Sequence, residues 1–282
     1  MTYFLAICSA FCAAAGAAVQ DREISGLDEG QAKGFRLFLS SLRKPWWWVG
    51  LVVMVGSPVF QFLALRVGNL TQVQPMLTTE LLFLLVLVVI THHQQPGLRE
   101  FGGAGLVVGG LIVFLFSAKP GGGDVPLTWH WGLVLTIVLG AMVAVSVLVG
   151  YRLTPGGAKA AVLGTAAAIC FAYQAAMTEA IANNHDILAI FRSPALYLLA
   201  LGGSVGFVLF QQAMRAGHVA ASRAAMVTVD PLLSVIVGIV VFGDHMAHSA
   251  SAVIVELMGL VVLLAGARTL ASSSLIAEIS VE

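Results

Sequence analysis

Charge is scarce in this chain. Only 10% of its 282 residues are Asp, Glu, Lys or Arg, while 59% are hydrophobic and the mean hydropathy is +0.95. Soluble domains carry about 25% charged residues, so a water-soluble globular domain is excluded. The formal net charge is zero and there is no basic tail, which argues against nucleic acid as a partner. Cysteine is also rare. Cys8, Cys12 and Cys170 all lie in apolar runs and no CxxC occurs, so they read as small buried hydrophobes rather than a disulfide framework or zinc site. GxSxG, HExxH and Walker patterns are missing, so the sequence suggests no enzyme, metal site or cofactor. The first apolar run, Met1–Val19, lacks a basic leader and reads as a retained first span, not a cleaved signal peptide.

Long apolar runs are abundant instead. After Met1–Val19 come Trp46–Leu65, Leu70–Thr91, Phe101–Ser117, Trp131–Gly150, Ala158–Ala180, Pro194–Met214, Val219–Phe242 and Ala252–Leu270, each close to the length a bilayer core requires. The expected fold class is therefore an all-α polytopic membrane protein with about nine transmembrane helices. Between the first two spans, Gln20–Lys44 ends in an amphipathic stretch (Phe35, Leu37, Phe38, Leu39, Leu42) suited to a cytoplasmic interface. Trp46, Trp47 and Trp48 mark headgroup level, and His92 and His93 read as interfacial. With the N-terminus outside, inner segments carry ten basic residues and outer ones three, Arg223 being intramembrane. This positive-inside bias predicts a multi-pass protein of the cytoplasmic membrane with its C-terminus in the cytoplasm.

The two halves of the chain echo each other. AAAGAAVQ closes on Gln20 and AAAICFAYQ on Gln174; FQFLALRVG (Phe60–Gly68) is echoed by LFQQAMRAG (Leu209–Gly217). A polar stretch with a proline follows each, ending at Pro75 in one and Asp230-Pro231 in the other, with the prolines offset by seven residues. The expected halves are residues 1–117, with cytoplasmic segment 20–45, and 158–270, joined by a linking helix at 131–150 and followed by a cytoplasmic tail at 271–282. Five spans separate matching helices, so the repeat is expected to be inverted, two four-helix units crossing in opposite senses. Inverted repeats are a recurring plan for secondary transporters, with the site near the midplane.

The run VDPLLSVIVGIVVFGD (Val229–Asp244), preceded by QQAMRAG (Gln211–Gly217), resembles the second repeat of the drug/metabolite transporter superfamily, the EamA-like group. RKPWWWVG…QFLALRVGNLTQVQPML (Arg43–Leu77) is similar to the NIPA-like magnesium-transporter branch. The resemblance covers nearly the whole chain, and its motifs are loose and mostly apolar. It implies transport across the inner membrane by alternating access of two inverted halves. That family commonly has ten helices, and Asp244 stands in FGD where it often has FGE.

Few ionisable groups fall inside the spans. Glu80 lies ten residues into the third span and Asp230 eleven into the eighth, so both reach about 15–17 Å depth, near the midplane. Asp230 precedes Pro231, which removes a backbone donor, and a break in the eighth span is expected there. Paired carboxylates repel when both are charged, so one is expected to hold a proton, and proton or cation coupling follows. Arg223 is a candidate anion or gating contact, and Glu256 of the ninth span is a further candidate. Gln61, Gln74, Gln174 and Gln211, with Tyr173, are the candidate solute contacts, the bland alternative being helix-to-helix amide bonds. Glu179 is expected at the interface, and Asp244, His245 and His248 in a solvated loop. Gly105–Gly109 offers a close-packing or homodimer seam. The expected activity is a secondary transporter for a small solute, proton- or cation-coupled. The alternatives are a Mg²⁺-like divalent-cation carrier or channel, and a non-transporting membrane scaffold subunit.

Overall fold

The computed structural model describes residues 1–25, 45–92, 95–118, 121–122, 125–183, 187–216, 219–245 and 250–273. The expected interfacial segment 26–44, His93, His248 and the tail from 274 lie outside the described residues. Eleven described helices follow in order: α1 (Thr2–Ser25), α2 (Pro45–Val67), α3 (Leu70–Leu77), α4 (Glu80–His92), α5 (Leu98–Ala118), α6 (Trp129–Arg152), α7 (Gly157–Ala182), α8 (Ile187–Arg192), α9 (Pro194–Arg215), α10 (Val219–Val241) and α11 (Ala250–Ala271). Among the described residues, nine helical spans are long and apolar enough to cross a membrane, with α3 and α4 together making one of them. The chain is thus an all-helical multi-pass membrane protein. A two-residue antiparallel ladder pairs Gly121 with His245 and Gly122 with Asp244, labelled β1 (Gly121–Gly122) and β2 (Asp244–His245).

Packing is built on α7. It is the most enclosed of the spans, because α2, α6, α9 and α10 all lie against it, whereas α6 turns most of its apolar surface outward. Small residues set the close crossings. Gly164 of α7 meets the backbone of Ser222 in α10, and Gly202 and Gly206 of α9 meet Tyr173 and Cys170 of α7. On the other side α1 crosses α2, where Gly16 sits on Met54 and Cys12 on Gly56. The core runs between these bundles through Leu65, Leu70, Val73, Phe114, Ile169, Met177 and Leu263. A lipid-facing coat of large apolar residues (Phe4, Val52, Phe116, Ile137, Phe207, Val261) is the reverse of a soluble surface and needs hydrocarbon around it.

The helix pair α5–α11 is joined by glycines seven residues apart on each partner. Gly103 and Gly110 face Gly266, Leu263 and Gly259, while Gly259 and Gly266 face Phe114 and Val107. Gly105–Gly109 is not a close-packing seam within the chain, since a Cβ added at either would meet nothing within 4 Å. The reason is helical phase: Gly103, Val107, Gly110 and Phe114 share the buried face, and Gly105 falls outside it.

The third span breaks and the eighth does not. α3 ends at Leu77 and α4 starts at Glu80, while α10 runs unbroken through Pro231. The hydroxyls following each proline account for the difference. Thr78 Oγ1 donates to Pro75 O (2.6 Å) and Thr79 Oγ1 to Met76 O (2.7 Å), so side chains occupy carbonyls at the end of α3. Pro231 is followed by Leu-Leu-Ser, and Ser234 donates to Asp230 instead. In lipid a helix can stop only where such partners stand ready.

Candidate functional site

Glu80 is the first residue of α4, in the turn where exposed N–H groups favour a carboxylate. Asp230 lies in the middle of α10 and accepts a hydrogen bond from Ser234 Oγ (3.3 Å), one turn further on. The two acids lie within electrostatic range of each other, and Arg223 lies within range of Glu80 with the opposite sign. Both carboxyl residues are half-buried, and so is every residue from Arg223 to Asp230. Beyond Pro231, α10 alternates between buried and exposed positions like an ordinary packed span. The half of α10 that carries Asp230 is therefore evenly part-covered, while its other half buries one face and exposes the opposite one.

Two acids and one guanidinium leave one negative charge uncompensated when all are ionised. One proton or one small monovalent cation balances the cluster. An isolated charge at that depth costs several kcal/mol, so the cluster has a physical reason to take one up.

The remaining predicted residues divide among other places. Gln74 is buried on α3, one residue before Pro75. Gln61 is half-buried on α2. Tyr173 is buried, and its hydroxyl lies 2.9 Å from Thr136 Oγ1 of α6, in a seam with α9. Gln174 packs its amide against Gly203 of α9. Gln211 is exposed, whereas its neighbour Gln212 accepts from Tyr151 OH (2.9 Å). The paired glutamines of α9 differ because only Gln212 is turned toward α6. Glu256 is fully buried on α11, one turn from the Gly259–Phe114 crossing.

Two expectations about the opposite end of α10 are corrected. Glu179 is not interfacial but fully buried, and Asp244 is not in a solvated loop but 3% exposed. The cause is α3, whose N-terminus is folded in over both. Asp244 Oδ2 accepts from Thr71 N (2.9 Å), and Gly243, at φ 70°, makes the left-handed turn that brings it there. Leu70 N–H lies toward Glu179 without meeting hydrogen-bond geometry.

A readable signal for the acid pair lies in the sequence. Met76-Leu-Thr78-Thr-Glu80 and Met226-Val-Thr228-Val-Asp230 match in type at four of five positions without a gap. Each threonine also bonds back along its helix, Thr78 to Pro75 O and Thr228 to Ala224 O (2.7 Å). Aligning the acids reduces the seven-residue mismatch that aligning the prolines produces to a single residue.

No protein-family model matches the chain, and no solved structure matches it. An uncharacterized protein of Corynebacterium glutamicum is 28% identical over 211 residues, which cover 73% of this chain and 72% of that protein.

Proposed function

We propose that this protein is a secondary transporter of the drug/metabolite type. It moves a small solute across the cytoplasmic membrane by alternating access of two inverted halves, coupled to a proton or cation held by Glu80 and Asp230. The observation that carries this reading is the interrupted third span. An acid at a mid-span break, within electrostatic range of an acid and an arginine of another span, resembles the arrangement by which broken helices of carriers hold ions. Positive-inside bias supports an external N-terminus and a cytoplasmic C-terminus.

The packing pattern supports the inverted halves. α1 lies on α2 and on the α3–α4 span, as α7 lies on α9 and on α10. The matched spans α3 and α10 meet each other, and so do α5 and α11, as elements related by a two-fold axis do. Register agrees as well. Four residues before the matched Gln20 and Gln174 stand Gly16 and Cys170, which form the tight crossings with α2 and α9 respectively.

Arg223 weighs against the divalent-cation alternative. Mg²⁺ requires an octahedral oxygen shell of high charge, and a guanidinium acting on Glu80 opposes it. The test uses purified protein in liposomes under an imposed pH gradient, screening solutes by gradient-driven uptake. Asp230→Asn is expected to abolish gradient dependence. Unchanged gradient response in the variant removes the coupling role, and Mg²⁺-specific stabilisation lost in Glu80→Gln would favour the divalent-cation reading.

A further inference from the structure

A cluster of positive charge that the midplane site does not use lies at one end of α6, α7 and α9. Arg152 ends α6, Lys159 stands in the first turn of α7, and Arg215 ends α9. Only the short connection 153–156 separates α6 from α7, so Arg152 and Lys159 share that end. A bridge brings α9 to it as well. Tyr151 OH donates to Gln212 Oε1 (2.9 Å), and Arg215 follows Gln212 by one helical turn. Lys159 Nζ lies 5.8 Å from the centroid of the same Tyr151 ring. Tyr151 thus ties together the helix ends that carry all three cations.

No acid on these helices stands near the cluster. Residues 125–178 and 187–229 contain no Asp or Glu. Glu179 is about 30 Å from Lys159 along the axis of α7. Arg152 and Arg215 are exposed, and among the described residues none of the three cations forms an ion pair. Arg99 at the start of α5 differs, since it donates to Ser272 Oγ (2.8 Å) and has Glu100 beside it in the chain. Three like charges gathered on one aromatic ring repel one another, and an anion among them relieves that repulsion.

The surroundings indicate which anion. Leu148 precedes Tyr151 and Arg152 by about one turn of α6, and Val208 precedes Gln212 by one turn of α9. Both are more than half exposed, so apolar surface lies directly inward of the charges. Tyr151 is 61% exposed, as an amphipathic ring at headgroup level is. A phospholipid presents the matching pair, a charged phosphate above hydrocarbon. Arginine forks fit phosphate oxygens two at a time, and basic pockets between spans attract anionic lipids. We infer that Arg152, Lys159 and Arg215 hold the phosphate of an anionic phospholipid, whose acyl chains lie along Leu148 and Val208. This site requires only that the chain spans a membrane, and it stands apart from the transport reading.

Native mass spectrometry of the full-length protein in detergent, with phosphatidylglycerol or phosphatidylcholine added, tests it. Phosphatidylglycerol is expected to be retained and phosphatidylcholine lost; equal retention of the two overturns the site. Arg152→Gln, Lys159→Gln and Arg215→Gln are each expected to weaken phosphatidylglycerol retention about fivefold. Retention unchanged in all three overturns the site. Arg66→Gln, at the exposed end of α2, is the control and is expected to change nothing. A loss as large in that variant replaces the site with unspecific attraction to basic residues. Added NaCl is expected to lower phosphatidylglycerol retention by the wild type, and this carries the test if the variants misfold. Salt-insensitive retention overturns the charge-based contact. Thermal melts separate the two sources of phosphate: phosphatidylglycerol is expected to raise the melting temperature and inorganic phosphate to leave it unchanged. Equal stabilisation by inorganic phosphate overturns the lipid assignment in favour of a free anion.

Discussion

Adding one methyl group at Gly110 is expected to force α5 and α11 apart. The new Cβ would stand 2.3 Å from Leu263 N, 2.6 Å from Leu263 Cα and 2.8 Å from Gly259 O. All three are backbone atoms, so no side chain can turn aside. Relief to 3.0 Å, below which real Cβ contacts essentially do not occur, requires a displacement of 3.0 − 2.3 = 0.7 Å. An opening of that size forfeits about a quarter to a half of each dispersion contact along the seam. Overpacking of this kind costs about 1–3 kcal/mol, against which the better helix propensity of alanine returns up to about 1 kcal/mol. Gly110→Ala is therefore expected to lower the melting temperature of the purified protein in detergent, followed by fluorescence of its five tryptophans. Gly105→Ala is the control. It meets nothing within 4 Å, and it keeps the propensity gain without the clash. A Gly110→Ala protein that melts at or above the Gly105→Ala protein would refute the seven-residue glycine seam. In the proposed carrier α5 and α11 come from opposite halves, so the same substitution is expected to impair transport beyond its effect on stability.

Two further outcomes follow from named contacts. Glu80→Gln and Arg223→Gln are each expected to destabilise the protein, and the double variant by less than the sum of the two, by about 0.5–3 kcal/mol of coupling; thermal melts of the four proteins check this, and strict additivity would deny the pairing. Tyr173→Phe removes the bond to Thr136 and is expected to cost about 0.5–1.5 kcal/mol with solute affinity unchanged; a changed affinity in the liposome uptake assay would instead place Tyr173 in contact with solute.

The spans were legible because hydrocarbon imposes length and composition directly, and all nine apolar runs are helical. The acids Glu80 and Asp230 were legible for the same reason, since depth follows from counting residues into a helix. The break was not. Both spans carry a proline, and the outcome turned on whether neighbouring hydroxyls were available to the carbonyls, as Thr78 and Thr79 are and Ser234 is not. Glu179 and Asp244 were misjudged because hydropathy assigns charges near span ends to the interface. What buries them is α3, a helix of only eight residues that tucks in between other spans. Such cover is a tertiary fact with no trace in the local pattern. As an intrachain seam Gly105–Gly109 misled because spacing says nothing of phase, whereas the buried face of α5 is set by Val107 and Phe114.

The small ladder between Gly121–Gly122 and Asp244–His245 makes the connection after α5 and the connection after α10 a single piece. It clasps segments that lie far apart in the sequence. In the proposed carrier, rocking that parts the bundles there must either unfasten this clasp or carry it whole with one of them.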